Sequence, residues 1–194
     1  MNDSIEQIRS RNEELRREVT ILHEFLDTLQ ILVEALDRPK EDSEIMSALS
    51  ASLECVLKVL DGVHGELLVH DEDRDELVLV FAHGDAQFES WQSTPADRGM
   101  LGWVLQRGEA IIANDASSDE RFDPAVDEPR GLTAETLLVV PVVSRDRTLG
   151  VLRIVNKRAR GLFDEDAQTL VSLLGRFAGE LLAGMAERLD SEQA

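Results

Sequence analysis

An unbroken heptad repeat over residues 5–36 constrains the fold of this 194-residue chain more than any other feature. Apolar residues recur alternately three and four positions apart, which is the spacing of a coiled-coil helix. Leucine at most d positions, with β-branched residues at several a positions and one asparagine, favours two parallel strands. The repeat therefore predicts a parallel coiled-coil homodimer. Its a and d positions are Ile5, Ile8, Asn12, Leu15, Val19, Leu22, Leu26, Leu29, Val33 and Leu36.

A proline after the repeat divides the chain. Pro39 cannot continue the helical hydrogen-bond ladder, and a second amphipathic helix follows it and ends at Gly62. The alternative to a dimer is a first helix that packs only on its own domain. Phe25 and Leu32, both at position g, widen the apolar stripe and favour a larger bundle there. The predicted parts are a coiled-coil helix, a domain and a short polar tail, over residues 1–38, 43–186 and 187–194.

Composition narrows the class of protein. A formal net charge of −19 repels the phosphate backbone of nucleic acids. The N-terminus does not resemble a signal peptide, and no apolar run approaches the roughly 20 residues that cross a bilayer. Cys55 is the only cysteine, which excludes an internal disulfide and a cysteine-rich zinc site. We therefore expect an acidic, cytoplasmic protein that binds neither nucleic acid nor membrane.

Short apolar runs separated by polar turns predict an antiparallel sheet after the second helix. Two hairpins are expected, and apolar residues at both alternating positions indicate that both sheet faces are covered. A short helix ends at Gly108, a long loop spans residues 114–133, and a final helix spans residues 163–189. This order of elements indicates an α+β fold. The predicted strands are residues 66–69, 77–82, 110–113, 136–143 and 149–155.

Four segments, in order, resemble the GAF domain family. The resemblance covers roughly residues 43–186 and implies a six-stranded antiparallel sheet flanked by helices, here preceded by a long coiled-coil helix. It also implies a small-molecule pocket between sheet and loops, dimerisation through the first and last helices, and a regulatory role. GAF domains bind cyclic nucleotides, haem, bilins, other metabolites or nothing known, so the cofactor stays unknown. The four segments are residues 99–115, 119–122, 136–143 with 149–157, and 163–168.

The resemblance also directs attention to particular side chains. Asn156, Lys157 and Phe163 match the start of the signature of cyclic-nucleotide-binding GAF domains, in which a lysine pairs with an acid. Here Lys157 could pair with Asp166, forming a candidate lock, but the signature's own Asp-Glu positions hold Ala167 and Gln168. The favoured interpretation is therefore that these residues are the end of a strand and the start of a helix, whose first-turn acids favour the helix dipole. The candidate ligand pocket comprises Phe88, Trp91, Trp103, Asn114, Asp115, Phe122 and Thr136.

No catalytic residue and no metal site is predicted. If Val69 pairs with Val78 in the first hairpin, His64 and His83 come close, but two imidazoles make an incomplete site. We interpret both as surface histidines. Cys55 lies among core residues and is interpreted as a buried thiol.

We therefore expect a non-enzymatic sensory or regulatory module in signal transduction. It would bind a small molecule or a partner and relay the event through the paired helices of the homodimer. Only five residues follow Leu189, so the output would come from a separate protein or a missing output domain. The alternatives are a degenerate GAF dimer that acts as a structural adaptor without a ligand and, less favoured, a small redox enzyme that uses Cys55.

Overall fold

A computed structural model of the chain describes residues 2–37, 41–87 and 92–193. These ranges contain five α-helices and six strands. The helices are α1 (Asn2–Asp37), α2 (Asp42–Leu60), α3 (Gly99–Arg107), α4 (Pro124–Asp127) and α5 (Glu165–Gln193). The strands are β1 (Gly62–Asp71), β2 (Glu76–Gly84), β3 (Ser93–Pro95), β4 (Ile111–Ala113), β5 (Leu137–Ser144) and β6 (Arg147–Lys157).

The six strands form one antiparallel sheet in the order β3-β2-β1-β6-β5-β4. This confirms the predicted six-stranded sheet flanked by helices, with both hairpins, β1–β2 and β5–β6, inside it. Val69 lies opposite Val78, as the first hairpin required. The sequence pattern did not predict β3, because a strand of three residues that ends in Pro95 is too short to show alternation. A proline is tolerated there because β3 is an edge strand.

Apolar side chains cover both faces of the sheet, as the strand composition predicted. One core lies between the sheet and helices α1, α2 and α5, and includes Leu53, Leu152 and Val171. The other lies under α3, α4 and the connecting loops, and includes Leu77, Leu101 and Val139. β1, β5 and β6 contribute to both cores, which is why they read as nearly continuous apolar runs.

The end of α2 differs from the prediction by one residue. Asp61, and not Gly62, adopts the left-handed conformation (φ 54°) that ends the helix, and its N–H lies near the Leu57 and Lys58 carbonyls. Aspartate visits this region more readily than most residues. Gly62 already belongs to β1.

α5 lies along the sheet at a distance set by a small residue. A Cβ on Gly179 would lie 2.0 Å from the Val143 carbonyl oxygen, so the helix backbone approaches β5 closely. At the start of the helix, the Asp164 side chain accepts a 2.8 Å hydrogen bond from the Ala167 N–H.

Over Glu165–Leu189, α5 is also the one described helix whose length and composition would suit a membrane span. Core helices meet the same criterion.

α1 carries two distinct apolar faces. Leu32 and Ala35 are buried in the domain's own core, with Phe25 and Leu29 partly buried beside them. Apart from Leu29, the described residues of the heptad stripe stay exposed, and every described side chain before Ile21 is exposed. Among the α1 side chains that the structure describes, those that pack on the domain therefore lie in the C-terminal half of the helix. The exposed apolar residues of the stripe are Leu15, Val19, Leu26, Val33 and Leu36, at 44–60%.

Candidate functional site

A cavity of about 90 Å³ lies between one face of the sheet and the segments around β3 and α4. Its wall combines apolar side chains such as Leu68, Leu79 and Val126 with polar groups. The lining carries two carboxylates and two guanidinium groups, so its formal charges balance. The polar lining residues are Glu66, Gln87, Gln92, Ser93, Thr94, Glu128, Arg130 and Arg153.

A buried ion pair forms the floor of this cavity. Glu66 on β1 and Arg153 on β6 lie directly opposite each other in the sheet, and both are 4% exposed. Arg153 Nε donates to Glu66 Oε2 at 3.0 Å, and Nη2 donates to the same oxygen. Arg153 Nη1 donates to the Val126 carbonyl at 3.0 Å, which ties α4 to the sheet.

His64 extends the ion pair into a chain of hydrogen bonds. Its Nε2 lies 3.0 Å from Glu66 Oε1, and its Nδ1 accepts from the Ala86 N–H at 3.4 Å. An Nδ1 that accepts leaves the proton on Nε2, so the neutral imidazole donates to Glu66. Burial alone would raise the pKa of Glu66. The Arg153 charge and the hydrogen bonds from His64 and Arg153 outweigh burial and hold that pKa below its ordinary value. His64 is thus buried, and its interpretation as a surface residue was wrong.

A second buried carboxylate occupies the N-terminus of α3. Asp127 is fully buried and accepts from the N–H groups of Met100 (2.9 Å), Leu101 (3.2 Å) and Asp123 (2.8 Å). The Met100 and Leu101 N–H groups belong to the first turn of α3 and have no partner inside the helix, and a negative charge there is favoured by the helix dipole. Burial raises the pKa of Asp127 even though these N–H groups and Arg153 oppose it. Gly99 makes room, because a Cβ there would lie 2.8 Å from both Asp127 oxygens.

The sequence held a signal for this site that pattern analysis missed. Glu66 and Arg153 each interrupt an otherwise apolar strand, and neither could face a core unpaired. Opposite charges inside two buried strands indicate that the strands are neighbours and that the charges meet. Asp127 gave no comparable signal, because it lies in a polar stretch rich in acids.

The described members of the predicted pocket do not line this cavity. Trp103 is half-buried, and the Arg121 guanidinium lies 4.8 Å from its ring centroid. Asn114 exchanges two hydrogen bonds with the Phe163 backbone, linking β4 to the start of α5. Asp115 accepts from Ser117 and Ser118, and Phe122 packs against the second core. Thr136 Oγ1 is buried and has no hydrogen-bond partner in the part of the chain that the structure describes. Phe88 and Trp91 lie outside the described residues.

The candidate lock takes a different form from the predicted pairing. Lys157 Nζ lies 5.9 Å from the Phe163 ring centroid, Asp166 is exposed, and no ion pair joins the two among the described residues. Asn156 has a positive φ of 57°. Its Oδ1 accepts from the N–H groups of Glu135 (2.8 Å) and Thr136 (3.0 Å). This segment therefore organises the loop before β5.

Cys55 and His83 lie at other positions in the fold. The Cys55 thiol is buried 3.6 Å from the Thr28 hydroxyl, between α1 and α2. His83 Nε2 lies 2.9 Å from Ser50 Oγ on the helical side of the sheet. Within the described ranges, no cluster of three or more His, Cys, Asp or Glu residues could hold a metal ion.

Comparisons with known proteins agree with this architecture. The model of the GAF domain family matches residues 43–183. A probable 3',5'-cyclic phosphodiesterase, pde-5, of Caenorhabditis elegans is 40% identical over 73 residues, which are 36% of this chain and 10% of that protein. The dual 3',5'-cyclic-AMP and -GMP phosphodiesterase 11A of Takifugu rubripes is 30% identical over 108 residues, covering 52% and 12%.

The same fold occurs in a solved bacterial structure. The GAF domain from an Acinetobacter phosphoenolpyruvate-protein phosphotransferase superposes with a TM-score of 0.68 at 24% identity, covering 84% of this chain and 94% of that one. This chain belongs to the GAF family, whose domains are found in signalling proteins that include cyclic phosphodiesterases. It spans only about a tenth of the curated relatives it matches.

Proposed function

We propose that this protein is a non-enzymatic sensory GAF module. It binds a small molecule in the cavity and transmits the binding event through the helices of the dimer. One observation carries the proposal: α1 packs on the domain by one apolar face and exposes a second, heptad-spaced face. A helix with both faces links the domain physically to a second copy. The membership of the GAF family supports a regulatory role.

The connection from cavity to helices runs through the sheet. Glu66 and Arg153 lie in β1 and β6 on the cavity side, whereas Leu67 and Leu152, their neighbours, lie in the core under α2 and α5. A ligand that shifts the ion pair would therefore shift side chains that support the helices. Such a shift would bias the spacing or rotation of two paired α1 helices, a two-state element of the kind that allostery requires.

A structural adaptor without a ligand is the second candidate function. Partly buried Trp103 and Phe122 pack against the second core. They fill space that a ligand could otherwise occupy, which favours the adaptor. A redox enzyme that uses Cys55 is less favoured, because the thiol lies between α1 and α2 and does not line the cavity.

Native mass spectrometry of protein purified gently from cells tests the proposal. The expected result is twice the chain mass of 21.6 kDa plus a small-molecule increment. A double change in the stripe, Val19→Glu with Leu26→Glu, should give the monomer. Thr20→Glu, which adds a charge beside the stripe, should leave the dimer intact. A wild-type monomer would overturn the relay, and a dimer without an increment would favour the adaptor.

A further inference from the structure

We propose, on the basis of the sensory function above, that the cavity takes a small zwitterion of amino-acid size and does not take a nucleotide. Three observations lead to this ligand class: the size of the cavity, its balanced charge and the filled N-terminus of α3.

The cavity is small for a ligand site. Its volume of about 90 Å³ equals the liquid volume of about three water molecules. Pockets for drug-sized ligands hold about 300–1,000 Å³. A base, a ribose and a phosphate together exceed this space, whereas glycine, alanine and serine suit it.

The helix N-terminus at which a phosphate could bind is already filled by the chain itself. A helix N-terminus is a ready anion site because its first N–H groups have no partner in the helix. At α3, the Asp127 carboxylate accepts from Met100 and Leu101 in that position. The lining is already neutral, since Glu66 and Glu128 are balanced by Arg130 and Arg153, so a phosphate would leave the site with a net negative charge and a zwitterion would not.

The lining offers one partner to each end of a zwitterion. Arg153 uses three of its five N–H groups on Glu66 and Val126, which leaves two to receive a carboxylate. Half-buried Glu128 accepts the Ala134 N–H at Oε1 (3.1 Å). In the described part of the chain its Oε2 has no hydrogen bond, so it can receive an ammonium. Neutral groups such as Gln92 and Thr94 complete the wall.

Calorimetric titration of the full chain with matched probes tests the ligand class. The probes are glycine, L-alanine and L-serine, with cyclic GMP, cyclic AMP and inorganic phosphate as competitors. Propionate and isopropylamine keep the alanine skeleton but lack the ammonium or the carboxylate. We expect at least one amino acid to bind at least tenfold more tightly than propionate, isopropylamine and both nucleotides.

A variant locates the binding in this cavity. Glu128→Gln keeps an oxygen for the Ala134 N–H but removes the charge, and it should weaken amino-acid binding at least tenfold. The control Glu72→Gln lies in an exposed turn, paired with Arg147 at 2.5 Å, and should leave affinity unchanged. Equal affinities in Glu128→Gln and wild type would overturn the inference.

The outcomes separate the inference from the function on which it rests. Binding of a cyclic nucleotide in preference to every amino acid would overturn the ligand class and leave the sensory function standing. Binding of a single-charge analogue as tightly as alanine would also overturn the class alone. Failure of every probe, together with a native dimer that carries no small molecule, would overturn both.

Discussion

At the scale of single residues, the cavity floor depends on a few charged groups that are costly to disturb. Glu66 and Arg153 are buried together, and each makes the burial of the other tolerable. Removing one partner leaves a buried charge without compensation, which typically costs about 3–5 kcal/mol. Exposed pairs such as Glu72 with Arg147 contribute at most about 1 kcal/mol.

Glu66→Gln should therefore destabilise the fold far more than Glu72→Gln, and in a pH-dependent way. The pKa of Glu66 is lowered in the folded state from 4.5, so its stabilising contribution is complete above the unfolded pKa and is lost as pH falls through the folded pKa. Urea unfolding from pH 7 to pH 3 would measure the difference in unfolding free energy between wild type and Glu66→Gln. We expect this difference to be constant above about pH 5.5 and to shrink below about pH 4.5. A difference that grows with acidity would contradict the ion pair.

The space beside Asp127 gives a second prediction at this scale. Gly99→Ala places a methyl group 2.8 Å from both carboxylate oxygens at a φ of 73°. Gly108→Ala is a matched control, because φ is 67° but the nearest atom is 3.4 Å away. The control should lower the free energy of unfolding by about 1–2 kcal/mol, because alanine disfavours the left-handed backbone conformation. Gly99→Ala should lower it clearly more. Equal losses in thermal unfolding would show that Asp127 moves away freely.

At the scale of elements, how well the sequence predicted the fold depended on local pattern. α1, α2 and α5 show helical periodicity, the four long strands are apolar runs between polar turns, and the structure contains all of them. β3 has only three residues, so no period could reveal it. A pocket between sheet and loops was expected, but its lining residues were missed because they come from β1, β6 and the segment around α4, whose juxtaposition is a tertiary property. The charges in two apolar strands were the only local clue.

The contact between α5 and β5 should not tolerate a methyl group. In Gly179→Ala the new carbon would lie 2.0 Å from the Val143 carbonyl oxygen, so the helix must shift. We expect a loss of about 1–3 kcal/mol in unfolding free energy, which is typical of overpacking. Gly184→Ala on the same helix, with no atom closer than 3.7 Å, should instead stabilise by about 0.5–1 kcal/mol. Chemical denaturation of both variants decides the matter, and a neutral Gly179→Ala would refute the close approach.

At the scale of the whole molecule, net charge opposes association. Each chain carries −19, so a dimer brings two strongly acidic bodies together, and the exposed apolar stripe of α1 must outweigh their repulsion. Salt screens such repulsion over about 10 Å at 0.1 M ionic strength. The apolar contact itself carries no charge and keeps its strength at moderate salt.

Raising sodium chloride from 20 to 300 mM should therefore tighten the proposed dimer several-fold, measured as the dissociation constant by sedimentation equilibrium. Potassium chloride at the same concentrations should act equally, because screening does not depend on the identity of the cation. Weaker association at high salt would indicate that ion pairs, and not the heptad stripe, hold the two copies together.

The two faces of α1 have a consequence for how the length of this protein can change over evolution. Each residue turns an α-helix by about 100°, so one inserted residue between Thr20 and Phe25 would rotate the free half of α1 relative to the half seated on α2. Insertions or deletions of seven residues would restore the alignment to within about 20°. Functional orthologues should thus differ in this stretch by whole heptads. In a deliberate series of insertions and deletions, the strength of the signal should vary with the angle through which each one rotates the helix.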